Sequence, residues 1–206
     1  PPQTPRRQRQ MCIRDRDKSI NAFAAPGGII GINLGMFLET RKEGELASVM
    51  CHELAHLSQR HYARSQNRSS PLANALMVLG SIVVAAASRN PEAILIAPAA
   101  MQQMSINFTR SNEKEADRIG FNNLVKAGFN PDDMTSMFQR MQDKYQSKSS
   151  EEFSYLMTHP LPSERLSDMR VRADDLPKSS KNSYRDNIDF YLMQKRAEIW
   201  SEQNAN

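Results

Sequence analysis

Cysteine, histidine and tryptophan are scarce in this chain: 206 residues include two cysteines, four histidines and one tryptophan. Two cysteines, Cys12 and Cys51, are too few for a disulfide framework or for a metal site built from cysteines. We expect Cys51 to pack as a small buried side chain; a reactive thiolate is the alternative.

Long hydrophobic runs are also missing. The longest apolar stretch, Leu72–Ala87, has 16 residues and is interrupted by Asn74, Gly80 and Ser81. A helix that crosses a bilayer needs about 20 apolar residues, so no transmembrane helix is predicted. We expect a buried helix here; the alternative is a surface helix that leans on a membrane.

The net charge of the chain, +4, equals the net charge of its first 18 residues. Residues 1–18 carry six basic and two acidic side chains, whereas the rest of the chain carries 21 of each. The body therefore has no basic footprint for nucleic acid, and no nucleic-acid partner is predicted. The leader, residues 1–18, lacks the apolar stretch of a signal peptide. We expect it to be disordered or non-native; a binding arm is the alternative.

Hydrophobic periodicity predicts a mainly helical α+β chain. Alternating apolar residues over Ser19–Asn33, with Pro26-Gly27-Gly28 between them, predict a small hairpin. Helical spacing is found over five further stretches: Glu45–Arg64, Ala93–Met104 with a polar continuation that should stop at Gly128, a helix opened by Asn130-Pro131-Asp132-Asp133, Ser163–Asp175 and Ile188–Trp200.

Methionine is concentrated in the helix that begins after Pro131. The stripe has members at i, i+3, i+4, i+7 and i+11: Met134, Met137, Phe138, Met141 and Tyr145. We expect this stripe to pack in the core; an adaptable binding surface is the alternative.

The motif His52-Glu53-Leu54-Ala55-His56 lies in the middle of the first predicted helix. Positions four apart on an α-helix differ in direction by about 40°, so both imidazoles can reach one metal ion. Glu53 lies to one side, where its carboxylate can accept a proton from a metal-activated water. The pattern is typical of a hydrolytic zinc site, and a helix with two surface histidines is the alternative.

A catalytic zinc usually takes three protein ligands and a water, so one ligand remains to be found. His61 follows His52 by nine residues and points about 180° away on a straight helix, so we expect it to be solvated. Glu113 and Asp117 are four apart and share a helix face. One can bind the metal while the other orients a ligand histidine; an ordinary acidic first turn is the alternative.

Three motifs in order resemble the M48 family of zinc metallopeptidases, in particular its soluble periplasmic members. They are His52-Glu53-Leu54-Ala55-His56, Glu113-Lys114-Glu115-Ala116-Asp117, and His159-Pro160 with Arg165 six residues after the histidine. Asn21-Ala22-Phe23-Ala24 also resembles that branch. The resemblance covers about residues 19–176.

The resemblance implies a role for each of four residues. Glu113 is the third zinc ligand, and Asp117 is a proton-donating or orienting acid. His159 faces the metal, either as a fourth ligand in a latent state or as an oxyanion stabiliser. Arg165 supports the same region or assists the oxyanion.

The resemblance also implies a zincin-like fold, one Zn²⁺ ion and metalloendopeptidase action on protein or peptide substrates. Misfolded outer-membrane proteins are expected among these substrates, in the periplasm. The strand at Asn21–Ala24 offers an edge for an extended peptide. Peripheral membrane association, without a transmembrane helix, is the alternative that the apolar run Leu72–Ala87 leaves open. A zinc-stabilised chaperone or assembly factor with latent proteolysis is the alternative.

Three regions are expected along the chain. The leader is followed by a metallopeptidase domain at residues 19–176. Residues 177–206 are expected to form a linker and the start of a helical, TPR-like repeat region, because relatives carry such repeats.

Overall fold

The computed structural model describes residues 11–13, 18–25, 27–68, 71–90, 92, 96–147, 154–177 and 187–202. The chain divides into two compact units, one made of residues 1–59 and 115–206 and the other of residues 60–114. The division falls inside a single unbroken helix, Ile96–Lys126, between Lys114 and Glu115. Glu113 and Asp117 therefore lie one turn apart on the same helix.

Within the described ranges the chain forms three strands and nine helices. The strands are β1 (Met11–Ile13), β2 (Ala22–Ala25) and β3 (Ile29–Ile32). The helices are α1 (Leu34–Glu39), α2 (Glu43–Ser58), α3 (His61–Arg68), α4 (Pro71–Ser88), α5 (Ile96–Lys126), α6 (Asp132–Ser147), α7 (Ser154–Thr158), α8 (Ser163–Asp174) and α9 (Ile188–Glu202). The predicted fold class, α+β and mainly helical with a small sheet near the N-terminus, is confirmed.

The three strands form one sheet in the order β1-β3-β2. β2 and β3 are antiparallel, with Ala24 opposite Ile30, and β1 runs parallel to β3. Gly27 and Gly28, with φ of 94° and 83°, make the turn of the predicted hairpin, a conformation that glycine adopts without strain. β1 lies inside the leader, where Met11–Ile13 pair with β3; that the leader as a whole is disordered or non-native remains a prediction.

The core of the first unit lies where α2 packs against β2 and α6, and α6 packs against α8. The methionine stripe points into this core: Met134, Met137, Phe138 and Met141 are each at most 1% exposed. Core packing of these four residues is confirmed. The Tyr145 side chain lies outside the described residues.

The chain turns sharply at the end of α2. Arg60 adopts a left-handed conformation with φ of 54°, and α3 begins at the next residue. A single helix over Glu45–Arg64 was therefore the wrong prediction. His61, expected to be solvated, is only 4% exposed, because the break at Arg60 changes its direction.

Two predicted helix ends agree with the structure. α5 ends at Lys126, and Gly128 has φ of 87°. The N–H groups of Gly128 and Phe129 donate to the carbonyls of Val125 and Leu124, at 3.0 and 3.2 Å. These bonds satisfy carbonyls that the helix leaves without partners. Asn130 Oδ1 then accepts from the N–H of Asp132 at 3.0 Å and opens α6.

The second unit contains α3, α4 and the first part of α5. Among the α4 side chains that the structure describes, the buried ones are the small Ser81 and Ala85, at 7% and 8% exposure, whereas Leu79 and Val83 are 58% and 66% exposed. The expectation of a buried helix here is wrong, because the large side chains lie on the opposite face from the buried ones. Among the described helices, none has the length and hydropathy needed to cross a membrane.

α9 belongs to the first unit and packs on α1. The rings of Phe37 and Phe190 are 6.0 Å apart, and Gln194 Nε2 donates to the carbonyl of Phe37 at 3.1 Å. The helix predicted at Ile188–Trp200 is thus present and docked. That it starts a repeat array, and that a domain boundary lies near residue 176, remain predictions.

Candidate metal centre

Helix α2 presents two histidines to one point. His52 and His56 are four residues apart, and their Nε2 atoms lie 3.0 Å from each other. The rings meet edge to face, with centroids 4.7 Å apart. His52 is fully buried, and His56 is partly buried. Two nitrogen lone pairs facing each other so closely require a proton or a cation between them.

The carboxylate of Asp117, on α5, faces the other nitrogen of His52. Asp117 Oδ1 lies 3.0 Å from His52 Nδ1, and Asp117 is 1% exposed. A proton on Nδ1, shared with this carboxylate, leaves the lone pair on Nε2. A carboxylate at this distance favours the tautomer of His52 that has its lone pair on Nε2, the form in which an imidazole binds a metal.

Arg165 holds the Asp117 carboxylate from the opposite side. Its Nε and Nη2 donate to Oδ2 and Oδ1 at 2.6 and 2.8 Å, and its Nη1 donates to the carbonyl of Pro160 at 2.6 Å. Burial alone would raise the pKa of Asp117, but hydrogen bonds and positive charge from Arg165 and His52 hold that pKa below its usual value. Arg165 thus links α5 to the loop that carries His159.

His159 follows the short helix α7 and faces the α2 histidines. Its N–H donates to the carbonyl of Tyr155 at 2.8 Å, and its ring lies 4.6 Å from the Tyr155 ring. The centroid distances from His159 to His52 and His56 are 5.3 and 5.1 Å. The loop therefore closes over the nitrogen pair.

Four side chains together form a group that could hold a metal ion. His52, His56, Glu113 and His159 each offer one ligand atom, and these atoms all lie within 4.8 Å of one another. Three imidazoles and a carboxylate are a donor set typical of zinc, which binds nitrogen and carboxylate oxygen at four positions. The buried His52 Nε2 and its carboxylate partner on Nδ1 fit that use.

Glu53 is buried beside this group. It is fully buried, and within the described part of the chain neither of its carboxylate oxygens forms a hydrogen bond. His159 Nε2 lies 3.5 Å from Oε1. A buried carboxylate without donors is costly in a folded protein. A buried carboxylate of this kind is expected where it accepts a proton during a reaction.

The predicted substrate edge, Asn21–Ala24, includes most of β2. Among the described strands β2 has one neighbour, β3, so its other side is an edge of the sheet. The carbonyl of Ile20, just before it, accepts from the N–H of Tyr155 at 3.2 Å. This bond ties the start of the edge to the helix that precedes His159.

Two residues near the site were not predicted from the sequence. Tyr155 packs on His159, and Phe138 lies edge to face with His52, with ring centroids 6.4 Å apart. Tyr155 precedes His159 by four residues, a helical spacing that could have indicated the contact. Phe138 carries no such signal, because it belongs to the methionine stripe.

Cys51 precedes the motif on α2 and is partly buried. Desolvation by burial raises the pKa of its thiol to about 11. The thiol is therefore protonated at neutral pH. The expectation of a packed, unreactive side chain agrees with this environment.

The family model that matches this chain covers all of the site residues described above. Residues 3–173 match the model of peptidase family M48. A putative β-barrel assembly-enhancing protease of Vibrio cholerae is 47% identical over 169 residues, which are 79% of this chain and 34% of the relative. The β-barrel assembly-enhancing protease of Escherichia coli is 41% identical over 186 residues, 86% of this chain and 36% of the relative.

A more distant relative is the mitochondrial metalloendopeptidase OMA1 of Schizosaccharomyces pombe. It is 30% identical over 151 residues, which are 73% of this chain and 43% of the relative. The matched part of this chain spans about a third of the length of the bacterial relatives.

Proposed function

This chain belongs to peptidase family M48, as its sequence motifs predicted, and we propose that it is a zinc-dependent endopeptidase acting on protein substrates. The observation that carries the proposal is the convergence of His52, His56 and Glu113 within 4.8 Å, beside a buried Glu53. A purely structural metal site would not need the second carboxylate.

The two α2 histidines and Glu113 would hold the metal. Zinc, when bound, lowers the pKa of its water towards about 7 and polarises the scissile carbonyl. Glu53 accepts the proton of the attacking water and passes it to the leaving amine. Its burial, without hydrogen-bond donors in the described residues, keeps its carboxylate available as a base.

Asp117 and Arg165 position these groups. Asp117 keeps His52 in the tautomer with its lone pair on Nε2, and Arg165 fixes Asp117 through two hydrogen bonds. All three donor nitrogens of Arg165 have acceptors in the protein, so we assign it a positioning role. Stabilisation of the oxyanion then belongs to His159.

The outer edge of β2 would bind the substrate backbone. An extended peptide can add to a sheet edge by main-chain hydrogen bonds, with little demand on its side chains. Asn21, Ala22, Phe23 and Ala24 would form that edge. A site that binds the substrate backbone in this way favours unfolded segments of proteins.

Replacing Glu53→Gln tests the mechanism. The amide preserves shape but cannot accept the proton, so we expect zinc content to stay stoichiometric and casein cleavage to fall by at least about 100-fold. Glu43→Gln, on the first turn of the same helix, is the matched control and should retain cleavage. Undiminished cleavage by Glu53→Gln would contradict the proposal.

A latent site is the second candidate, because His159 completes a set of four ligand groups. Structural zinc sites have four protein ligands, whereas catalytic sites leave one position for water. With all four positions filled, the protein would act as a chaperone or assembly factor with little proteolysis. If His159 only blocks the site, His159→Ala should cleave casein faster than the parent. If the protein is a zinc-stabilised chaperone, neither the parent nor the variant should cleave casein.

The names of the bacterial relatives suggest the biological setting. Because they are named for β-barrel assembly, we propose that this protein acts in the periplasm on misfolded outer-membrane proteins. Unfolded β-barrel proteins expose long segments that can become extended, and such segments can pair with the edge of β2. We expect an unfolded β-barrel protein to be cleaved and its folded, detergent-solubilised form to be resistant.

A further inference from the structure

Helix α4 exposes its large aliphatic side chains, and the two buried residues in its described part, Ser81 and Ala85, are small. Leu76, Leu79 and Val83 are 60%, 58% and 66% exposed. On a helix these three lie within about 60° of one another, while Ser81 and Ala85, the buried pair, lie about 160° from Val83 on either side. The helix is thus inverted relative to a core helix, whose large apolar side chains face inward.

The exposed surface is wide as well as apolar. Ile82 and Val84, at 46% and 51% exposure, extend it on the two sides of the Leu76–Leu79–Val83 face, and Val78, at 41%, lies beyond Ile82. We call these six residues the α4 surface. Contiguous exposed apolar areas of this kind mark surfaces that are covered in use by a partner or a membrane.

The composition of α4 favours lipid over a protein partner. From Leu72 to Ser88 the sequence contains no charged and no aromatic residue. Protein interfaces are enriched in tyrosine, tryptophan and arginine at their centres. Leucine, isoleucine and valine without polar groups suit acyl chains, which offer no hydrogen-bond partners.

The charge around α4 specifies the kind of lipid. Residues 54–91 contain no aspartate or glutamate and four arginines, among them Arg64 and Arg89, both exposed. Residues 60–114 as a whole carry six basic and two acidic side chains, whereas residues 19–59 and 115–206 together carry 15 basic and 19 acidic ones, so the neutral total of residues 19–206 includes one basic region. A basic unit with an apolar surface is complementary to an anionic bilayer, which attracts arginines near its surface.

We propose that the α4 surface docks the protein on an anionic membrane, with α4 lying in the interface. The side chains of the α4 surface enter the boundary between headgroups and acyl chains, and the arginines bind lipid phosphates. This inference does not depend on the proposed peptidase activity. A membrane-bound protease of this kind would work close to the bilayer surface.

Flotation with lipid vesicles tests the docking. The full chain with Glu53→Gln prevents self-cleavage, and vesicles of phosphatidylcholine, with or without phosphatidylglycerol, separate the two lipid classes. We expect the protein to float with the anionic vesicles, at least about tenfold less with neutral ones, and less at high salt. Failure to float with either, or equal binding to both, would overturn the proposal.

Two double variants locate the surface. Leu79→Ser with Val83→Ser should weaken binding to anionic vesicles by at least about tenfold, since two aliphatic side chains lose their burial. Ile188→Ser with Leu192→Ser, at 66% and 61% exposure on α9, is the matched control and should bind as the parent does. Equal binding by the α4 variant, or equal losses in both, would overturn the proposal. Circular dichroism checks that each variant is folded.

A second copy of the chain is the other partner that could cover the α4 surface. Analytical ultracentrifugation without vesicles should show the same mass for the parent and for the Leu79→Ser, Val83→Ser variant. A parent dimer that this variant dissociates would overturn the proposal in favour of self-association. Arg64→Glu with Arg89→Glu should lose the preference for anionic vesicles; an unchanged preference would contradict the electrostatic part.

Discussion

Gly120 on α5 lies directly against the backbone of His52 on α2. A Cβ at position 120 would come 3.1 Å from both the Cα and the N of His52. Both contacts are backbone atoms, which cannot rotate away. The absence of a side chain at this point therefore sets how closely the helix of Asp117 approaches the helix of His52.

We expect Gly120→Ala to weaken zinc binding and to destabilise the fold. Overpacking costs about 1–3 kcal/mol, and the gain in helix propensity offsets up to about 1 kcal/mol of it. The displaced α5 would draw Asp117 away from His52 Nδ1. Competition with a chelator measures zinc affinity, and urea unfolding measures stability.

Gly80→Ala on α4 is the matched control. Its Cβ would meet nothing within 4 Å, so the change should stabilise the protein by about 0.4–1 kcal/mol and leave zinc affinity unchanged. Equal zinc affinity in Gly120→Ala and the parent would show that the close approach of the two helices does not position the site.

Asp117→Asn should lower zinc affinity by about 10- to 100-fold, because the amide no longer fixes the tautomer of His52. It also leaves the buried Arg165 guanidinium without its carboxylate. Asp168→Asn, which breaks the exposed ion pair with Arg172 at 2.9 Å, is the control and should change stability by less than about 1 kcal/mol. If both variants bind zinc equally well, Asp117 does not orient the ligand.

Arg140→Ala should destabilise the protein without weakening zinc binding. Arg140 Nη1 donates to Glu45 Oε2 at 2.7 Å and to the carbonyl of Glu39 at 2.9 Å, and Glu45 is 1% exposed. Removing one partner of a buried pair costs about 3–5 kcal/mol. Urea unfolding should show this loss. A parallel loss of zinc affinity at a temperature where the variant is folded would contradict a purely structural role.

Cys51 should be dispensable for activity. Burial raises the pKa of its thiol to about 11, so it is protonated at pH 8. In a Cys12→Ser background we expect slow labelling by a thiol reagent when the protein is native and rapid labelling in denaturant. Cys51→Ala should cleave casein at the parent rate. Loss of cleavage together with fast native labelling would favour the thiolate alternative.

Local periodicity predicted much of the fold. The hairpin, the stop at Gly128, the start of α6 and the buried methionine stripe depend on neighbours within a few residues, and all four are found. The helix predicted over Glu45–Arg64 was wrong at Arg60, because a non-glycine residue in the left-handed conformation has no reliable local signal.

Burial was harder to predict than helix formation. The apolar composition of α4 correctly predicts a helix. Its local pattern does not show which side of that helix the rest of the protein covers. The structure buries Ser81 and exposes Val83, the reverse of the usual preference. His61 likewise became buried once the chain had turned before it.

By itself the sequence determined that His52 and His56 would share one side of a helix, because a spacing of four residues has that consequence in any α-helix. Tertiary structure alone decided that Asp117 would meet His52 Nδ1, that Arg165 would bind Asp117 and that His159 would close over the pair. Each of those contacts joins residues that are 48 or more positions apart in the sequence. They depend on how α5, α7 and α8 pack, which local spacing does not encode.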